Sequence, residues 1–377
     1  MKGKLAAIIV VLCLAGAAWG VWALYQPYRG ISVPVMLDIP PGTGAPAIAD
    51  LLVARGVLAQ KWPFLARYWI GRTRHRLKAG EYLFDRPLRP IDVYRKLIVG
   101  DVYLYPVVIP EGSDRFDIAR ILADRMAIDP DDFLRRTEQT SLIQDLDPGA
   151  PTLEGYLFPD TYRFPRRVKP DAVIATMVAR FRHVLQTRFH DEMFSGAGNL
   201  HSLVTLASLV EKETPDPAER PVVAGVFARR LEKGMLLQCD PTVIYAARVA
   251  GRPIGIIRVS DLNFASPFNT YLHAGLPPGP IANPGESSLR AAYHPQGGDA
   301  LYFVSNNHGG HIFSKTLTEH QRNVAQYKRD LAAARRKASA QASNPAHAAA
   351  PKGSGKQPKT GGSSKGVSQS QQKANPS

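Results

Sequence analysis

The chain has 377 residues, 45% of them hydrophobic, with a formal net charge of +15 and two cysteines. Such a length allows two domains, or one large domain with appendages, built on a real core. Two cysteines exclude a disulfide framework and a cysteine-based metal site; the basic charge suits anionic lipid or an acidic polymer, and no zinc-finger, RRM or zipper pattern points to nucleic acid.

Leu5–Leu24 is an apolar run of about 20 residues, the length that spans a bilayer. Lys2 and Lys4 precede it, and Trp19, Trp22 and Tyr25 crowd its far end as an interfacial belt would. The positive-inside rule makes residues 1–4 a cytoplasmic stub, residues 5–24 a transmembrane helix, and places residues 26–377 outside. Ala15-Gly16-Ala17 could instead be the cleavage site of a signal peptide. The apolar run continues past that site, so a retained anchor is expected.

Val33–Ile39 alternates like a strand until Pro40-Pro41-Gly42 breaks it. Ala45–Arg55 reads as a short helix with Gly56 behind it. Trp62–Ile70 is a second helical patch, and Lys78–Phe84 a turn into a strand. Arg89–Val99 is helical again and Gly100 ends it. Strand, helix, helix, strand describes a small α+β module.

Tyr103–Ile109 reads as a strand and Asp117–Ala127 as a helix. LEGYLFPDTY (153–162) then sets aromatics beside carboxylates, either as sugar-cleft lining or as core at a strand–turn boundary. Pro170–Leu185 is another helix. HSLVTLASLVEKETPD (201–216) is the stretch the rest is organised around: Leu203, Leu206, Ala207 and Val210 share one helical face. Pro215 pushes Thr214 out of α geometry, so the helix should stop at Glu213. A helix C-terminus disfavours a carboxylate anion, and a carboxylic acid kept protonated near neutral pH is what a general acid needs. Glu211 and Glu213 project roughly 160° apart at about 100° per residue, so they should not share a site.

Asp216-Pro217 with Glu219, Asp240-Pro241, and Asn283-Pro284 with Glu286 all read as helix caps. Asp240 follows Gln238 in a polar patch, which leaves a functional role open for it. Residues 264–285 are rich in Pro, Gly and aromatics, a rigid loop of the kind that carries binding residues. Phe268, Asn269, Thr270 and Tyr271 offer a stacking ring and polar donors suited to pyranose rings. Leu301–Ser305 and His311–Phe313 should pair as a hairpin, and Thr318 to about Ala334 should form a closing helix. His308, His311 and His320 lack metal-ligand spacing, and no phosphate loop or G-x-S-x-G elbow occurs. From about Arg336 to Ser377 the chain is mostly Ala, Ser, Gly, Pro, Gln and Lys, which reads as a disordered basic tail.

LEGYLFPDTY (153–162), LASLVEKET (206–214), ERPVVAGVFARRL (219–231), QCDPTVIY (238–245), FNTY (268–271), GLPPGPIANPG (275–285) and LYFVSNNHGGHIF (301–313) together resemble the endolytic murein transglycosylases, the YceG-like family. KAGEYLF (78–84) and the anchor fit as well. The resemblance implies an α+β architecture: the transmembrane helix, a LysM-like module over residues 30–105 and a larger YceG-like catalytic domain over 106–335, followed by the disordered tail that composition places over 336–377. It implies a single-pass protein of the bacterial inner membrane, with its catalytic domain in the periplasm. Its substrate would be the glycan strands of nascent peptidoglycan, cut internally between N-acetylmuramic acid and N-acetylglucosamine. Peptidoglycan synthases are the expected protein partners.

The resemblance assigns the catalytic acid to Glu213 and requires no metal or cofactor; among the residues above, Glu154, Gln238, Asp240, Asn269 and Tyr271 are the candidate substrate contacts. Cys239 stands where the family usually has a small hydroxylated residue, and is expected to be a buried small side chain. One carboxylate suffices if the muramic acid 6-hydroxyl is the internal nucleophile, giving a 1,6-anhydro end. Two rivals remain: a non-enzymatic wall-binding scaffold, and a muramidase that uses water with Asp160 or Glu154 as second carboxylate.

Overall fold

A computed structural model describes residues 2–28, 30–71, 76–189 and 199–342. The fold is mixed α+β, and among the described residues the strands form three separate antiparallel pairs. The chain opens with α1 (Lys2–Tyr25), a helix long and apolar enough to cross a membrane, its large apolar side chains facing outward.

Next come β1 (Val35–Ile39), α2 (Ala45–Ala54), α3 (Trp62–Gly71), β2 (Gly80–Phe84) and α4 (Pro90–Val99), in the expected order. β1 pairs with β2, Leu37 opposite Tyr82 and Val35 opposite Phe84. The two-residue period of a strand turns Leu37, Ile39, Tyr82 and Phe84 to one buried face. Ile48 and Leu52 of α2, Phe64 of α3 and Val93 and Leu97 of α4 close over that face as one hydrophobic cluster. The helix ends fall where the glycines put them: Gly100 takes the left-handed conformation (φ 76°) that stops α4.

A second, larger cluster runs from Val107 to Ala292. β3 (Leu104–Val108) pairs with β4 (Thr161–Pro165), and α5 (Arg115–Met126) and α7 (Pro170–Arg188) pack beside them. The sequence reading omits α6 (Pro130–Thr137), an eight-residue helix capped by Asp129, which accepts from Asp131 N at 3.1 Å. Only Phe133 and Thr137 of α6 are buried, too short an apolar stripe to show as a period. α8 (Leu200–Glu213) packs against α9 (Arg220–Glu232) and α11 (Glu286–Tyr293), with α10 (Asp240–Val249) alongside. β5 (Tyr302–Ser305) and β6 (His311–Ser314) form the expected hairpin.

All three expected caps are corrected. Asp216 accepts from Ala218 N at 2.9 Å, but it closes a turn; α9 begins only at Arg220, and the Glu219 side chain bonds His311. Asn283 is fully buried and lies before Gly285, the residue that precedes α11. Its amide instead accepts from Gly155 N and Leu157 N, both at 2.9 Å, and donates to Ser113 O and Glu154. Asp240 makes no cap; its carboxylate takes the Tyr271 hydroxyl. The last helix, α12 (Leu317–Ala342), continues past residue 336, where the tail was expected to begin. AAARRKASAQA is rich in strong helix formers and holds no proline or glycine. The rest of the expected tail, residues 343–377, lies outside the described residues.

Candidate active site

Both ends of α8 are fixed. At its start Asn199 accepts from His201 N at 3.0 Å. The His201 ring sits between Asp147 Oδ2 (2.7 Å) and Pro278 O (3.0 Å), and Tyr156 donates to the same Asp147 oxygen. Midway, Ser208 Oγ accepts from Ile281 N at 3.0 Å and ties the GLPPGPIANPG loop to the helix. At its end Thr214 is extended (φ −135°, ψ 132°), as a residue before proline must be. Glu213 is thus the last residue of the helix, where the dipole works against a negative charge.

The surroundings of Glu213 push the same way. Burial raises its pKa above the usual carboxylate range, and the charge of Asp240 adds to that; the Cys239 hydrogen bond, His311 and Arg230 pull against it without reversing it. Cys239 Sγ donates to Glu213 Oε2 at 3.3 Å, and this thiol is its hydrogen-bond partner among the described residues. The side chain is only half-buried, so the acid is screened from water on one side and reachable from the other.

Two sequence motifs are zipped together to build that floor. Gln238 N donates to Thr270 O (3.1 Å), Cys239 N donates to Thr270 Oγ1 (3.0 Å), and the Thr242 and Thr270 hydroxyls lie 3.0 Å apart. QCDPT and FNTY therefore form one unit. Arg230, buried under the hairpin, donates to Leu236 O, Leu237 O and Leu301 O and holds the approach to that unit. Gln238 then takes a left-handed conformation (φ 51°), unusual for a residue with a side chain, and points out to solvent.

Of the sequence-derived candidates, Asp240 and Tyr271 lie near enough to Glu213 to act on it electrostatically, and Gln238 is exposed next to Cys239. Asp240 is exposed at the first residue of α10, where the helix dipole favours its charge, and it accepts from Tyr271 OH at 2.5 Å. Glu154 and Asn269 do not join them. Glu154 is 1% exposed and occupied within the protein: it accepts from Arg115 N, Tyr245 OH and Asn283 Nδ2. Burial, with Asp114 nearby, pushes its pKa up to about 8. Asn269 is fully buried and braces its own loop through Leu262 O, Phe264 O and Tyr271 N. Both expectations are corrected for one reason: a polar residue among aromatics served burial, since a buried polar group must find protein partners.

Glu211 points elsewhere, as its helical angle requires. It forms a buried ion pair with Arg220 at 2.8 Å and accepts from Gly285 N at 2.9 Å. Sequence reasoning missed the pair of His311 and Glu219, joined at 2.7 Å by both the His311 ring and its backbone N–H. Glu219 was read as a capping-box partner and His311 as a hairpin strand residue without metal-ligand spacing, and no spacing rule connects positions 92 residues apart. Among the described residues no three His, Cys, Asp or Glu side chains are grouped to hold a metal ion.

The sequence profile of the YceG-like family matches residues 37–326. The endolytic murein transglycosylase of Bacillus subtilis (strain 168) is 33% identical over 337 residues, 84% of this chain and 91% of that protein. The endolytic murein transglycosylase of Streptococcus pneumoniae (serotype 2, strain D39) is 28% identical over 324 residues, 78% of this chain and 58% of its own length. The crystal structure of a yceG-like protein from Listeria monocytogenes superposes with a TM-score of 0.53 at 32% identity, over 77% of this chain and 98% of that one. With the family profile spanning most of the sequence and these relatives aligned along nearly its whole folded length, the chain belongs to the YceG-like family.

Proposed function

We propose that this protein is a membrane-anchored endolytic murein transglycosylase. It cuts the β-1,4 bond between N-acetylmuramic acid and N-acetylglucosamine inside nascent peptidoglycan strands, leaves 1,6-anhydro ends and so terminates elongation. Glu213, raised in pKa at the end of α8, is the observation that carries the reading. Held protonated, it gives its proton to the glycosidic oxygen as the bond to the muramic acid C1 breaks. The resulting carboxylate takes the proton of the muramic acid 6-hydroxyl as that oxygen bonds to C1. The proton count closes on one side chain, with no water consumed. Gln238, Asp240 and Tyr271 contact the strand.

In this reading α1 anchors the chain in the inner membrane with the remainder in the periplasm. Residues 30–105 are a LysM-like glycan-binding module and residues 106–335 the catalytic domain. Peptidoglycan synthases supply the strand. The names of the relatives and the helix α1 support this account.

Asp240 gives a specific reason to keep the water-using alternative in view, because it is a second carboxylate beside the acid. The carboxylates first considered for that role are engaged elsewhere: Glu154 is buried, and Asp160 pairs with Arg180 at 2.6 Å.

The test of the site is Glu213→Gln, which keeps shape and removes the titrating proton. General acid–base catalysis is worth about 10²–10⁴ in rate. With both proton transfers on one group, fragment release from purified strands should fall at least that far, while circular dichroism stays unchanged. Near-normal release from the folded variant would rule Glu213 out.

A further inference from the structure

We infer that the outer side of α3, carrying Trp62, Trp69 and Ile70, lies in the headgroup layer of the membrane leaflet through which α1 emerges. The first module is then seated on the bilayer and does not hang from a free tether. This rests on the reading of α1 as a membrane anchor.

The geometry starts with one ring contact. Trp19 of α1 and Trp62 of α3 are stacked, with centroids 5.0 Å apart and planes 23° from parallel. Trp19 lies six residues before the end of α1 at Tyr25, about 9 Å along the axis at 1.5 Å per residue. Trp62 is therefore level with the interior of the apolar helix, below the point where the chain leaves it. A spanning α1 must carry Trp62 into the interfacial layer.

The rest of α3 agrees with that placement. Trp62 and Trp69 are seven residues apart, two helical turns, and so share a face, with Ile70 beside them. On the opposite face Phe64 and Gly71 are buried against the module. Both sides of this helix are thus apolar, one into the core and one outward, where Trp69 is 51% and Ile70 76% exposed. A water-facing helix would carry polar residues there; tryptophan is the residue that favours the membrane interface.

The seating is also held at a second point. Tyr28 N donates to Leu88 O at 3.4 Å, and the Arg89 guanidinium lies 5.7 Å from the centre of the Tyr25 ring. The start of α4 is thereby fixed to the end of α1, as the start of α3 is fixed to Trp19. Two attachments set an orientation that one linker could not. A glycan ring or a protein partner on Trp69 is the competing occupant.

The full chain holds four tryptophans, which makes them usable as depth probes. One form keeps only Trp69 (Trp19→Phe, Trp22→Phe, Trp62→Phe) and another keeps only Trp19 (Trp22→Phe, Trp62→Phe, Trp69→Phe). Each is reconstituted in phosphatidylcholine–phosphatidylglycerol vesicles with and without lipid brominated near the top of the acyl chain. The Trp69 form should lose emission about twofold or more in brominated lipid, since an interfacial helix buries its apolar face in this region. The Trp19 form should be quenched too. Quenching of Trp19 without Trp69 overturns the inference and leaves the anchor standing. Absence of Trp19 quenching means α1 is not in the bilayer, and both fall. If the variants do not fold, the unmodified full chain answers: iodide in the aqueous phase should leave its emission nearly intact, whereas a water-facing Trp69 would be quenched.

Discussion

The Cys239 thiol holds the Glu213 carboxyl in place, and its substitution separates positioning from packing. A hydrogen bond of this kind is worth about 1 kcal/mol, roughly fivefold in rate. Cys239→Ala should lower kcat by about that factor with KM little changed, and Cys239→Ser, which restores a donor of similar size, should recover it. Because the thiol hydrogen bond pulls the Glu213 pKa down against burial, removing it should move the alkaline limb of the pH–rate profile to higher pH. A uniform loss in both variants, with no pH shift, would make Cys239 mere filling. Glu211 calls for the opposite experiment. Its partner Arg220 is 6% exposed and Glu211 itself 4%, and breaking a buried pair costs about 3–5 kcal/mol. Glu211→Gln should lower the melting temperature markedly while leaving turnover per folded molecule within a few fold. If activity vanished in a stable Glu211→Gln protein, the acid would have to be placed one helix face away. Helical angle alone separated these two glutamates in the sequence. It could not show that Cys239 touches Glu213, because their 26 residues of separation close only in the folded chain.

At the level of elements, α9 shows how closely the helices around the site are fitted. A Cβ added to Gly225 would lie 1.5 Å from the Gln296 carbonyl oxygen, a backbone atom that cannot step aside, since Gln296 N is itself bonded to Pro221 O. Replacing glycine by alanine in an open helix gains about 1 kcal/mol. Overpacking costs about 1–3 kcal/mol, occasionally more, and here the clash should win. Gly225→Ala should unfold at lower denaturant concentration by about 2 kcal/mol; a gain in stability would show that the helix and the 296 segment can part freely. Most element boundaries were legible because they depend on local chemistry: Gly100 ending α4, Pro215 ending α8, the alternation of β1. The cap at Asn283 was misread because its side chain found tertiary partners in the Gly155–Leu157 turn, and the capping box at Asp216 because its partner Glu219 bonds His311 while Asp216 closes a local turn. Glu154 and Asn269 were misread for the same reason, as a binding motif and a buried brace use the same residue types.

Across the whole molecule, both hydrophobic clusters begin after α1, the first at Ile31 and the second at Val107. No core therefore depends on the apolar helix. Deleting residues 1–25 should release a folded protein whose melting temperature changes by only a few degrees and which still cuts isolated strands. An insoluble or molten product would mean that the Trp19–Trp62 contact is part of the core. The strand–helix–helix–strand–helix order of residues 35–99 was readable from local alternation and helix-ending glycines. The extent of α12 was not, because a segment rich in Ala, Lys and Arg suits both a solvated tail and a helix.

The most direct measurement is the mass of the fragments released when the purified full-length protein acts on isolated glycan strands. The account expects internal cuts whose muramic acid ends are lighter by one water than hydrolysed ends, the mark of a 1,6-anhydro product. Fragments carrying the full mass of hydrolysed ends would contradict it and make Asp240 a base for water; no fragments at all would leave the protein a wall-binding scaffold.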